Sequence, residues 1–189
     1  IEGEPSKLIA QLAETSQQLL DRAREAGVDV AGMQLDYDCA TSKLTAYARL
    51  LQVLRVAVPD VPWSITTLPT WLGAPGFDDV VGAVDSFVLQ VHGIDLPKSI
   101  DDPMMICDPA RIAGWVSQAS ELEKPYLVAL PTYGYRLVFD KDTGGFRGLR
   151  GEGREEAYTN AETREIMADP AAMAKAAEAL QANPAPWLK

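Results

Sequence analysis

The sequence predicts an α/β fold: part of a (β/α)8 TIM-type barrel, with about four parallel strands, flanking helices and a hairpin inserted after the last strand. Three observations carry this. Short apolar segments bounded by turn residues alternate with stretches of helical periodicity, as in parallel strands joined by crossover helices. The chain has 189 residues, whereas a closed eight-fold barrel takes about 250. The first strand carries polar groups on alternate positions and ends in two carboxylates, at the strand end where such barrels gather their chemistry.

In chain order, Ser6 to Ala26 sets Leu8, Ile9, Leu12, Leu19 and Leu20 on one helical stripe. The strand Gly32–Asp38 follows. Strand side chains alternate, so Gln34, Asp36 and Asp38 share one face while Met33, Leu35 and Tyr37 turn to an apolar layer. Two acids roughly 6 to 7 Å apart along a strand cost stability unless paired or hydrogen-bonded. Held together they push one pKa upward, the condition for a general acid beside an ionised partner. Leu44, Tyr47, Leu50, Leu51 and Leu54 repeat at helical spacing before a second strand, Trp63–Leu68. The third strand is Ser86–His92, and Asp108-Pro109 supplies an N-cap and first-turn proline for a helix over Arg111–Leu122. The fourth strand is Tyr126–Leu130.

From 136 to 158 the pattern changes. Asp140-Lys141-Asp142-Thr143-Gly144-Gly145 is a turn signal between Leu137-Val138-Phe139 and Phe146, Leu149, which gives a hairpin or a surface loop on the substrate-facing side. Asp169 to Ala182 is alanine-rich and helical, and Asn183 to Leu188 reads as the approach to a further strand. The expectation is one partial-barrel domain over 1–189, truncated at both ends, with exposed outer strands.

Composition narrows the function. The net charge of −10, from 27 acids against 17 bases, argues against a phosphate backbone as partner, so no nucleic acid is expected. Arg147, Arg150 and Arg154, followed by Glu155 and Glu156, read as a solvated loop. Cys39 and Cys107 lack zinc spacing and read as two reduced thiols or as one disulfide, and the one histidine, His92, cannot build a histidine-rich metal centre. Gly151-Glu152-Gly153 lacks the third glycine of a dinucleotide loop, and no serine nucleophile elbow occurs, so neither cofactor nor metal is expected. No run of about 18 apolar residues exists to span a membrane. The chain begins at Ile1, which leaves the compartment open.

Gly32-Met33-Gln34-Leu35-Asp36-Tyr37-Asp38 resembles the signature strand D-G-x-D-x-D-x-E of chitinase-type glycoside hydrolase barrels. Aligned on the glycine, Asp36 matches the penultimate acid and Asp38 takes the place of the proton-donating glutamate, while Ala31 and Gln34 replace the first two aspartates. Leu130-Pro131-Thr132-Tyr133-Gly134-Tyr135 is similar to the G-x-P-x-Y-G segment after a late strand of those barrels. Phe87 to Gly93 falls where they carry M-x-Y-D, with Val91 for the tyrosine and His92 for the aspartate. The wording of Asp36 to Ser42 and of Gln90 to Gly93 is similar to a bacterial domain-of-unknown-function family with a glycoside-hydrolase-like barrel. The resemblance covers about Gly32 to Leu137. The missing aspartates argue against true chitinase chemistry, in which that ladder helps the substrate's N-acetyl group act as nucleophile.

The resemblance implies a carbohydrate-active protein that hydrolyses O-glycosidic bonds with a carboxylate acid, acting on a carbohydrate or other small polar ligand. Asp38 is the candidate general acid, or else a cap on the helix starting near Thr41 or Ser42. Asp36 is its electrostatic partner or a buried hydrogen-bond hub. Gln34, lower in the barrel, is a structural hydrogen-bonding residue or else a substrate contact at the foot of the site. Gln90 and His92 share a face and reach ligand or serve the fold; Tyr133 and Tyr135 offer hydroxyls to a sugar ring or pack. Trp71, in the loop after the second strand, is a candidate stacking platform, whereas Trp63 and Trp115 read as core. The alternatives are a non-catalytic sugar-binding barrel, favoured by Gln34 and Val91, and a scaffold protein.

Overall fold

A computed structural model describes residues 3–93, 97–151 and 158–189. The four apolar segments form the parallel strands β1 (Met33–Leu35), β2 (Trp63–Thr67), β3 (Ser86–Gln90) and β4 (Tyr126–Ala129). They pair in chain order β1-β2-β3-β4. The strands follow one another in the sheet without a reversal of order, as consecutive strands of a barrel do. The helices are α1 (Gly3–Glu25), α2 (Leu44–Ala57), α3 (Phe77–Gly82), α4 (Pro109–Ser120) and α5 (Pro170–Ala182). Asp108 and Asp169 cap α4 and α5, each accepting from a first-turn amide with proline at the first helical position.

Register assigns each residue a face. Ile65 pairs with Phe87 and Phe87 with Tyr126, and these belong with Trp63 and Leu89 to the main core that the helices close through Leu20, Leu44, Leu51, Leu54, Ile112, Val116 and Met173. The other face carries Gln34, Ser64 and Ser86 in one row, then Thr66, Val88 and Leu127, and Leu127 is 50% exposed. At the β4 edge Leu188 bridges Tyr126 in parallel: the Tyr126 amide donates to the Trp187 carbonyl at 3.0 Å and the Lys189 amide to the Tyr126 carbonyl at 3.0 Å. Gly32 is fixed by a close approach, since a Cβ there would lie 3.1 Å from the Pro62 carbonyl oxygen.

After β4 the chain forms an antiparallel sheet ordered β6-β5-β7, from β5 (Gly134–Asp140), β6 (Phe146–Gly151) and β7 (Ala161–Met167). The Asp140 carboxylate accepts from the amides of Asp142 and Thr143, both at 3.0 Å, and Gly144 takes φ +67 in the hairpin turn. A second small core joins Leu137, Phe139 and Ile166 to Ile106 of the β3–α4 loop. Arg164 fastens that loop by donating to the carbonyls of Ile100 at 2.9 Å and Asp102 at 2.8 Å.

Several expectations need correction. The strands are shorter than their apolar patterns, so Asp36, Asp38 and His92 lie just beyond strand ends. Arg147 and Arg150 sit on β6, paired with β5, and not in a solvated loop; Arg154, Glu155, Glu156 and the Glu152-Gly153 step lie outside the described residues. The short α3 and the strand β7 were not anticipated. Cys39 and Cys107 are free and buried. No helix among the described residues is long and apolar enough to cross a membrane.

The two faces make a mutational contrast. Leu89→Ala, at a fully buried position, is expected to cost about 2–5 kcal/mol. Leu127→Ala, on the open face, is expected to cost about 1 kcal/mol or less. Urea denaturation of both variants checks the difference, and equal losses would contradict this assignment of faces.

Candidate functional site

Asp36 and Asp38 follow the last residue of β1, and each meets a different neighbour. Thr66 Oγ1, from the adjacent strand, donates to Asp36 Oδ1 at 2.6 Å. Because Leu35 pairs with Ile65, the next residue of each chain falls side by side, and the hydroxyl of β2 is delivered to the carboxylate by register alone. Gln34 Nε2 donates to Ser64 Oγ at 3.3 Å one row below, and so serves the fold. Asp38 caps nothing: neither the 3-10 turn Thr41–Lys43 nor α2 receives a side-chain cap. Both acids are exposed in this chain.

Asp38 lines a cleft of about 240 Å³ together with Gln90, His92, Tyr133, Tyr135, Leu68, Gly93, Ile106 and Leu149. The walls come from the segments following β1, β2, β3 and β4 and from the inserted sheet. A larger groove of about 600 Å³ lies between α4 and α5, but its one ionisable lining residue is Glu121. The chemistry-bearing residues gather in the smaller hollow. Among the described residues no group of three or more acidic, cysteine or histidine side chains is arranged to hold a metal ion.

Within the cleft, His92 meets Tyr133 edge-on at 5.4 Å between ring centres, and Tyr133 meets Tyr135 the same way at 5.3 Å. Burial lowers the His92 pKa from its ordinary value, opposed in part by the negative charges of Asp38 and Asp36. The imidazole is therefore neutral near pH 7, and its buried Nδ1 has no partner among the described residues. Burial first, then the hydrogen bond with Tyr135, push the Tyr133 phenol above the usual tyrosine range, so it stays a protonated donor.

Trp71 is the clear correction. Its ring is fully buried, wedged edge-on between Tyr47 at 6.0 Å and Phe77 at 6.0 Å. Its Nε1 donates to the Cys39 carbonyl at 3.1 Å. With no exposed ring face it cannot stack on a sugar; it holds the chain behind the acids in place. Tyr37, expected to turn inward, is 53% exposed. The sequence reading overlooked Ile106 and Leu149, whose place depends on how the β3–α4 loop and the hairpin fold over. It also overlooked Thr66, which the strand register could have supplied.

The sequence pattern of the family described as Domain of unknown function (DUF3142) matches residues 2–189, and the chain belongs to that family. No curated protein matches the chain. Among solved structures it is similar to ydhD from Bacillus subtilis, described as a sporulation-specific glycosylase, with 11% identity, TM-score 0.59, and 91% of this chain covering 67% of that one. It is similar also to the spore cortex-lytic enzyme SleL from Bacillus cereus, with 15% identity, TM-score 0.52, and 91% of this chain covering 47% of that one. A chitinase from Chromobacterium violaceum aligns over 70% of this chain and 42% of its own at 17% identity and TM-score 0.49, too loosely to weigh. At such identities the likeness is one of fold, and this chain spans less than half of SleL.

The single histidine makes the cleft's electrostatics measurable. Its imidazole is expected to titrate below 6.5 by NMR, and Asp38→Asn is expected to lower the midpoint further, because it removes a charge that favours imidazolium. As the pH falls below 6.5, the unfolded chain takes up a proton that folded His92 declines. Stability contributed by neutral His92 is thus lost between pH 6.5 and the lower folded value. A midpoint at or above 6.5, or one indifferent to Asp38→Asn, would contradict the described cleft.

Proposed function

We propose that this DUF3142 member forms the acid-bearing part of a glycoside-hydrolase-like barrel that binds a carbohydrate at the C-terminal ends of its strands and cleaves an O-glycosidic bond. One observation carries the reading: Asp38, Gln90, His92 and Tyr133, which come from the ends of three different parallel strands, line one hollow together with Tyr135 of β5. Convergence of ionisable and hydrogen-bonding side chains from separate strand ends is how this architecture builds sites. The fold likeness to ydhD and SleL agrees with it.

In the proposed reaction Asp38 gives its proton to the glycosidic oxygen as the bond to the anomeric carbon breaks, and water completes the hydrolysis at that carbon. Asp36, oriented by Thr66, stays ionised and stabilises the positive charge that develops on the ring. Neutral His92, with Gln90, Tyr133 and Tyr135, hydrogen-bonds the sugar hydroxyls. Trp71 is left out of the site, and Gln34 contributes only through Ser64.

A second reading, a sugar-binding barrel without turnover, is favoured by Val91, which is fully buried and so offers no polar group where the resembling family carries a tyrosine. Two measurements separate the readings. Asp38→Asn is expected to lower release of reducing ends from a polysaccharide panel by about 100-fold or more while calorimetric binding of oligosaccharides persists. Binding by the unsubstituted protein with no product over long incubation would establish the binding module, and unchanged turnover in Asp38→Asn would remove this residue from the mechanism.

A further inference from the structure

Four carboxylates of the described residues stand within ion-pair distance of an arginine: Asp21 with Arg24, Asp85 with Arg55, Glu165 with Arg136 and Asp140 with Arg147. Asp36 and Asp38 are not among them. Both are exposed, and water serves them while the cleft is open. A ligand that fills the cleft displaces that water, and a carboxylate stripped of water is costly unless a cation or strong donors take its place.

The cleft itself offers no such cation. No lysine or arginine lines it among the described residues, and its other polar groups are the uncharged Gln90, Tyr133 and Tyr135. His92, the remaining base, is kept neutral by burial. Lys43, on the turn before α2, acts on Cys39 and does not line the cleft. The compensating positive charge therefore has to arrive with the ligand. Asp36 is placed to receive it: Thr66 Oγ1 holds Oδ1 at 2.6 Å, which fixes the carboxylate and leaves its second oxygen to the ligand. In the reaction proposed above Asp38 carries the proton, so Asp36 is the acid left charged when a sugar is seated.

We propose that the cleft selects an amino sugar, a ring carrying a free protonated amine, over neutral, N-acetylated and acidic rings, with Asp36 as the specificity-determining residue that pairs with the ammonium group. N-acetylation removes the positive charge and a uronate adds a negative one, so both lose the pairing. This substrate class rests on the reading of the cleft as a sugar site, and binding alone tests it.

The test is calorimetry at about pH 7, where such an amine is mostly protonated, with tetrasaccharides of one linkage built from glucosamine, glucose, N-acetylglucosamine or a hexuronic acid. The glucosamine tetrasaccharide is expected to bind about tenfold or more tightly than the others. Asp36→Asn is expected to remove most of that advantage. Glu121→Gln makes the same change in net charge at the C-terminal end of α4 and is expected to keep it. Equal affinity for the glucosamine and glucose tetrasaccharides would overturn the proposal. Equal losses in Asp36→Asn and Glu121→Gln would also overturn it, since the preference would then follow only from the net charge of −10. Should Asp36→Asn fail to fold, Thr66→Val, which releases the Asp36 carboxylate, is expected to reduce the same advantage, and an unchanged one would overturn the proposal. Preference for the amino sugar without any product would remove hydrolysis and keep this substrate class. Turnover of the glucose tetrasaccharide with no amino preference would do the reverse.

Discussion

The structure depends on the unequal treatment of the two faces of one parallel sheet. Parallel sheets ordinarily need cover on both sides, because their strands are too apolar to face water. Here the helices close only the face of Trp63, Ile65, Phe87, Leu89 and Tyr126. The strands answer with alternation: Gln34, Ser64, Ser86 and Thr66 stand on the other side, where a continuous hydrophobic run would be unfavourable. That alternation sets Gln34, Ser64 and Ser86 in one row and Thr66 with Val88 and Leu127 in the next, and Asp36, Asp38 and His92 follow beyond the strand ends.

Holding two acids and an imidazole at a strand-end rim requires rigid support from behind. A row of rings supplies it, running from Tyr37 through Tyr47, Trp71, Phe77 and Phe87 to Tyr126 with centre separations of 5.6, 6.0, 6.0, 6.4 and 5.2 Å. Edge-on and stacked aromatic pairs each add about 0.5–1.5 kcal/mol beyond the area they bury. The row links the acidic segment to β4 through the main core, while the inserted sheet, anchored by Arg164 to the β3–α4 loop, brings in the wall opposite. The cleft is thus framed by the two cores, and its charge balance follows: acids at the rim, a neutral imidazole and the protonated Tyr133 phenol within.

Much of this was legible in the residues. The alternation of strand and helix gave the parallel sheet, and period two placed Asp38 on one side of the first strand and Gln90 and His92 on one side of the third. The Pro131-Thr132-Tyr133-Gly134-Tyr135 wording located the tyrosines after the fourth strand. What failed was loop direction. Trp71 follows a strand as a site residue would, but the 3-10 turn Pro69–Trp71 folds the ring back under the sheet end, and no local pattern distinguishes the two outcomes. The strand β7 was invisible because Glu162, Thr163, Arg164 and Glu165 show no apolar alternation. As an edge strand paired only with β5 it is kept polar, as unpaired edges are. Tyr47 was legible as a core position of an amphipathic helix, but not as a ring packed between Tyr37 and Trp71, since that depends on tertiary packing.

The central claim is that the residues gathered by separate strand ends form one ligand site. A crystal structure of the protein with a bound oligosaccharide tests it most directly. The account predicts a sugar ring in the cleft, with its glycosidic oxygen within hydrogen-bond reach of Asp38 and its hydroxyls on His92 and Tyr133. A sugar seated instead in the groove between α4 and α5, with the cleft of Asp38 left to solvent, would contradict it.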